Sequence, residues 1–219
     1  MRSPSRLKRL IFKFYRLVNI LPFNNSIKAK KAKIKNEGAI LYKCKIRAQK
    51  GNTIILHKGA VMRKTAFKIR GTNNIVEIGE DASIIQGEFC IEDSGNVISV
   101  GKRTSMCGKI HLACTEGKKI SIGDDCLFSS DIVFRTGDSH FITDANTGER
   151  INPGKDIVVE NHVWFGHRVM VNKGVVIPED TVVGTGAIVT KSFDEKNTII
   201  AGVPAKVVKR EINWGTDRF

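Results

Sequence analysis

No uninterrupted apolar stretch among the 219 residues approaches the roughly 20 that a membrane span needs, so the chain is not an integral membrane protein. Aromatic side chains are scarce, at 7%, and acidic ones are missing from the first 35 residues, which carry 11 Lys and Arg. The remaining 184 residues hold 25 basic and 22 acidic side chains, a net of +3 against +14 for the whole chain. With a near-neutral body and no aromatic set for stacking, nucleic acid is excluded as a partner. Cysteine is limited to Cys44, Cys90, Cys107, Cys114 and Cys126, an odd set without metal-ligand spacing. These read as reduced thiols, with Cys90 and Cys126 in core columns, which implies a cytoplasmic location and no metal.

What the chain does have is a strict period. Val159, Phe165, Val171, Ile177, Val183 and Val189 stand six apart. A helix needs apolar spacing near 3.6 and a flat strand near 2, whereas a period of six in a glycine-studded run fits short strands separated by tight corners. A longer period of 22 extends the pattern upstream through Ile34, Leu56, Ile78, Val100 and Ile122, with Gly79, Gly101 and Gly123 following the last three. Six residues further on come Ile40, Met62, Ile84, Met106 and Phe128. Twelve on come Ile46, Lys68, Cys90, Leu112 and Phe134, of which only Lys68 breaks the inward pattern. Each repeat of 22 reads as three hexapeptides plus about four residues at one corner, where Gly51, Gly71, Gly95 and Gly117 sit among turn formers. The fold class is an all-β solenoid built as one domain.

The ends and one interior segment depart from the period. Leu7, Leu10, Ile11, Phe14, Leu17, Val18 and Leu21 follow helical spacing, with Lys8, Arg9, Lys13 and Arg16 on much of the other side and Pro22 as a stop. Residues 1–31 thus form a basic segment with a short amphipathic helix, residues 32–200 the solenoid, and residues 201–219 a short tail. The helix either binds anionic membrane through residues 1–22 or caps the open end of the solenoid, and Lys28 to Lys35 form a solvated approach to the first coil. Phe134 and Val159 are 25 residues apart, so a polar loop, residues 135–157, is inserted there. It carries His140, and long loops on a rigid scaffold are where chemistry concentrates.

The run NHVWFGHRVMVNKGVVIPEDTVVGTGAIVTKSF at 161–193 and the segment AGVPAKVV at 201–208 resemble the hexapeptide-repeat acyltransferases, especially their sugar O-acetyltransferases. The resemblance covers most of residues 55–210 and implies a left-handed parallel β-helix, although ordinary β crossovers are right-handed. It further implies acetyl transfer from acetyl-CoA to a hydroxyl of a saccharide, a homotrimer, and His140 as general base. For the co-substrate it implies Trp164 beside the reacting groups, Gly166 and His167 at one corner, and Gly184, Thr185 and Gly186 at the next. Thr190 and Lys191 match the pair near the nucleotide end, with Lys206 and Arg210 facing phosphates. The N–H after Phe165, or a neighbour, is the expected oxyanion donor, and Asp131 or Asp138 is a candidate to orient His140, with a solvated turn the favoured role for both.

The sequence departs from the family in having no asparagine in the coil before the loop, where some sugar acetyltransferases place an assisting one. Serine, an amino sugar or an antibiotic are alternative acceptors, and a non-enzymatic binding or assembly solenoid is the alternative of another class. His162 and His167, five apart, invite comparison with the zinc carbonic anhydrases of the γ class. Only His167 stands in that family's phase, and Asn172 occupies the place of its second histidine.

Overall fold

Runs of two to five mostly β-branched or aromatic residues, cut by glycine and turn formers, cannot make long strands, so the chain turns a corner after each. The computed structural model describes residues 24–29 and 31–217. In it the chain winds as a three-sided prism, giving one strand per coil to each of three sheets. The first sheet has eight strands, from Ser26–Lys28 to Ile188–Val189. The second has seven, from Lys33–Asn36 to Val176–Ile177, and the third has nine, from Ile40–Tyr42 to Ala205–Lys209. All neighbours pair in parallel until Ile199–Gly202, against which Ala205–Lys209 folds back antiparallel. No helix occurs among the described residues, and the amphipathic segment with its membrane or capping role lies outside them.

The downstream sixes map onto the structure directly. Val159, Phe165, Val171, Ile177, Val183 and Val189 are all buried, and Phe165 stacks on Phe128 with ring centroids 4.5 Å apart. Upstream the register differs from the expected columns. In the first sheet Ile46 pairs with Phe67, Phe67 with Phe89, and Phe89 with Leu112, so phenylalanines fill the column assigned to Lys68 and Cys90. Lys68 points outward and Cys90 is half-buried. The cause is a shorter corner: Met62 to Phe67 and Ile84 to Phe89 take five residues, whereas Met106 to Leu112 and Phe128 to Phe134 take six. The first coil is also short, so that Ile34 pairs with Ile54 and Ile40 with Val61. The prism begins before the boundary expected at residue 32, because Ser26–Lys28 already pairs with Lys45–Arg47 and Lys33–Asn36 is itself a strand. Likewise the boundary expected at residue 201 falls inside the strand Ile199–Gly202, and Ala205–Lys209 is the second half of a hairpin.

Stacked coils meet closely at their corners, and this explains two columns of residue choice. A Cβ on Gly79 would stand 2.7 Å from the backbone of Gly101, and one on Gly101 would stand 2.4 Å from that of Gly123. Only hydrogen fits between such turns. At the corner between the first and second sheets, Asn52, Asn74 and Asn96 are buried 22 residues apart and form a ladder. The backbone N–H and side-chain amide of Asn74 donate to Oδ1 of Asn52 at 3.0 and 2.9 Å, and those of Asn96 donate to Oδ1 of Asn74 at 2.8 and 3.1 Å. Asn74 also donates to the carbonyls of Arg70 and Asp93. Replacing Asn74 by alanine strands buried donors and acceptors on both adjacent coils, at about 1–3 kcal/mol. Urea unfolding of Asn74→Ala is therefore expected to show that loss, and Asn197→Ala, at a half-buried corner, a smaller one.

Candidate active site

The inserted loop replaces the corner between the strands Ile132–Arg135 and Ile157–Val159, the same corner that holds the asparagine ladder lower down. Its sequence folds as a small hairpin. Thr143 and Arg150 bridge, Ile151 N–H donates to Ile142 carbonyl at 2.9 Å, and Asp144 Oδ1 accepts the N–H groups of Asn146 and Thr147 to make the tip turn.

One residue holds the base of this hairpin. Asn152 is 7% exposed; its Nδ2 donates to the carbonyl of His140 at 2.8 Å and to Oδ2 of Asp138 at 2.9 Å, while its Oδ1 accepts the N–H of Ile142 at 2.6 Å. Lys173, from the next coil, donates to the Asn152 carbonyl at 3.0 Å and pairs with Asp138. The Lys173 ammonium, and after it the Asn152 amide, hold the Asp138 carboxyl below its usual range. Glu116, from the coil below, ties the hairpin's return by accepting from Arg150 at 2.7 Å and from Gly154 N–H at 3.0 Å.

His140 is therefore presented on a braced backbone, exposed, with no hydrogen bond to its ring among the described residues. Neither aspartate orients it. Asp138 is engaged with Lys173 and Asn152, and Asp131 lies near His167 and Lys109.

The expected coenzyme residues gather on another edge. Gly166 and His167 turn the corner from the third sheet to the first, and Gly184, Thr185 and Gly186 turn it one coil later. The N–H of Gly166, one of the expected oxyanion donors beside its neighbours, is spent on the Val183 carbonyl at 2.8 Å. Among the described residues the N–H groups of His167 and Thr185 have no acceptor. A Cβ on Gly166 would stand 2.7 Å from the Thr185 nitrogen, so any larger residue would cover that donor. His167 is fixed by Ser130, with Nδ1 2.9 Å from Oγ.

Trp164 lies on the third sheet between Leu127 and Val182, 40% exposed. Beside it stands Trp214, which the tail returns to this face. Trp214 stacks on His162 at 4.1 Å and donates from Nε1 to the His162 carbonyl, and its ring lies 6.0 Å from Trp164. The pattern of sixes carries no sign of Trp214, because it lies beyond the last repeat. Asn152 was likewise hidden, one polar residue in a polar loop.

Thr190 and Lys191 are exposed two coils above the hairpin's corner. Lys206 is exposed in the antiparallel strand, while Arg210 pairs with Glu195 at 2.8 Å. The structure thus brings Gly166, His167, Gly184, Thr185 and Gly186 together, and sets His140 on a different edge, with the first sheet between them.

No family model matches the chain. It is 36% identical over 189 residues to the polysialic acid O-acetyltransferase of Neisseria meningitidis, covering 77% of this chain and 87% of that protein. The chain belongs to the hexapeptide-repeat O-acetyltransferases. Galactoside O-acetyltransferase of Escherichia coli K12 is 32% identical over 120 residues, and the match spans about half of each chain, 54% and 56%. The crystal structure of the polySia-specific acetyltransferase NeuO superposes with a TM-score of 0.83 at 28% identity, covering 90% of this chain and 84% of that one. The winding is the left-handed parallel β-helix of these O-acetyltransferases, and the protein is an O-acetyltransferase.

The Asn152 clamp fixes the position of the loop, because at His140 and Ile142 it touches only backbone. Asn152→Ala is expected to lower kcat by about 10- to 100-fold, the scale of a misplaced group, with acetyl-donor KM little changed. Steady-state kinetics beside a melting curve check this, since the loop lies outside the core columns and Tm should hold.

Proposed function

We propose that the protein transfers an acetyl group from acetyl-CoA to a hydroxyl of a saccharide, in the biosynthesis of a surface polysaccharide or glycan, with His140 as the general base. The observation that carries this reading is the pairing of a braced loop histidine with two unspent N–H groups at a glycine corner. Neutral imidazole takes the hydroxyl proton as the oxygen attacks the thioester carbonyl. Negative charge gathers on the carbonyl oxygen, where the N–H of His167 or Thr185 would receive it. The C–S bond then breaks, and the imidazolium returns its proton to the departing thiolate. The open corner at Gly166, Gly184 and Gly186 suits the pantetheine arm, with Lys191 and Lys206 toward the nucleotide, while Thr190 lines the cleft on the hairpin's edge. Arg210, already paired with Glu195, is less free to take part. The saccharide acceptor is supported by the relatives, whose names specify polysialic acid and galactoside. A reducing, cytoplasmic setting is supported by five free thiols, with burial pushing those of Cys114 and Cys126 up to about 11.

His140→Ala is expected to cut turnover by about 100-fold or more while leaving acetyl-CoA binding intact, measured by coenzyme A release with a saccharide acceptor. Near wild-type acetylation by that variant would remove His140 from the mechanism.

The reading extends to a homotrimer. His140 and the glycine corner occupy different edges of one prism, so a second copy supplies what each edge lacks. The hairpin's exposed Phe141, Ile142 and Ile151, at 75%, 53% and 60%, give that contact an apolar surface. Co-refolding His140→Ala with Trp164→Ala is expected to recover activity that neither has alone. A fully active monomer by light scattering would overturn the shared site.

A further inference from the structure

From the base of the hairpin to the coils above it, along the same edge of the prism, runs a cleft of about 520 Å³ lined by Arg135, Asp138, Lys155, Asn172, Lys173 and Thr190. Its charges do not balance. Asp138 is already paired with Lys173, and neither Arg135 nor Lys155 has an ion pair among the described residues. Arg135 Nη2 donates to Ser139 Oγ at 3.1 Å, which leaves the rest of its planar fork unspent. The stem of Lys155 lies over Gly174, where a Cβ would stand 3.0 Å from its Cδ, and the side chain is exposed.

We propose that this cleft is a carboxylate subsite for an acidic saccharide acceptor, with Arg135 and Lys155 as the residues that read its charge. The proposal rests on saccharide acetylation as set out above. An anion of some kind is called for by two cations without ion-pair partners that line one cleft. Position decides which molecule carries it. Ser139, the residue that Arg135 touches, adjoins His140, so the subsite lies beside the base. In acetyl-CoA the phosphates are separated from the thioester by the whole pantetheine arm. An anion held next to the base therefore belongs to the molecule whose hydroxyl is being deprotonated. A carboxylate matches the guanidinium fork with two parallel hydrogen bonds, and the lysine ammonium adds charge without directional demand. Polysialic acid, the acceptor named for the Neisseria relative, is a polyanion.

The test uses a short polysialic acid oligomer and the same oligomer with its carboxyl groups reduced to alcohols. The wild-type enzyme is expected to show a KM for the acidic oligomer at least about tenfold below that for the reduced one, rising with salt. Arg135→Gln and Lys155→Met are each expected to raise the acidic KM about tenfold and so to collapse that ratio toward one. Equal KM values for the two oligomers in the wild type would overturn the subsite, and so would a rise in acetyl-CoA KM in place of the acceptor's. Equilibrium dialysis of the acidic oligomer without acetyl-CoA separates the two readings. Binding lost in Lys155→Glu supports the subsite even if no acetyl transfer occurs, whereas transfer with charge-blind binding keeps the reaction and sinks the subsite.

Discussion

Each interior coil among the described residues hydrogen-bonds its strands to the coils above and below it, and that dependence governs the rest of the structure. Parallel strands in register bring successive corners to within a strand spacing of one another. The glycines at 79, 101 and 123 and the asparagines at 52, 74 and 96 are two answers to that closeness. At one corner the side chain is removed so that turns can touch, and at the other it is buried and made to carry hydrogen bonds from coil to coil. Phe67, Phe89 and Phe134 from the first sheet and Phe128 and Phe165 from the third then fill a core whose width the corners have already set. Stability is accordingly a nearest-neighbour property, and a fault in one coil is felt chiefly by the two that flank it.

Rigidity of this kind is lent to the inserted loop. A loop of about twenty residues would ordinarily wander, yet the hairpin carrying His140 is tied to three levels of the prism: Glu116 below, Asn152 in its own base and Lys173 above. The interruption falls at the one corner that already tolerated extra residues, so the coils on either side keep their pairing, with Ile120 against Ile157 across the gap.

The solenoid was legible because its signal is repeated: the six apolar positions from Val159 to Val189 each report the same inward direction. A single repeat is less secure, and the upstream first-sheet column shows why. A corner one residue shorter, compensated elsewhere in the same 22, leaves the overall period intact while turning Lys68 and Cys90 away from the core and Phe67 and Phe89 into it. The inserted loop and His140 were visible as a break in spacing joined to a family resemblance. The clamp at Asn152, the unspent N–H groups of His167 and Thr185, and the approach of Trp214 to Trp164 were not. Each depends on which groups the folded backbone leaves unpaired or brings back from a distance, and no local pattern encodes that. The same is true of Gly166, legible as a glycine but not as the gap that uncovers Thr185.

The antiparallel return of Ala205–Lys209 along Ile199–Gly202 bears on how such a prism stops. A stack of parallel strands is open-ended, and its last strand offers a row of unsatisfied backbone groups on which another molecule's strands could continue the lattice. Reversing direction at Pro204 presents a neighbour with strand polarity opposite to that of the sheet, and the returning strand carries Lys206 and Lys209 on its exposed side. The return thus hinders end-to-end continuation of the third sheet by another molecule's parallel strands.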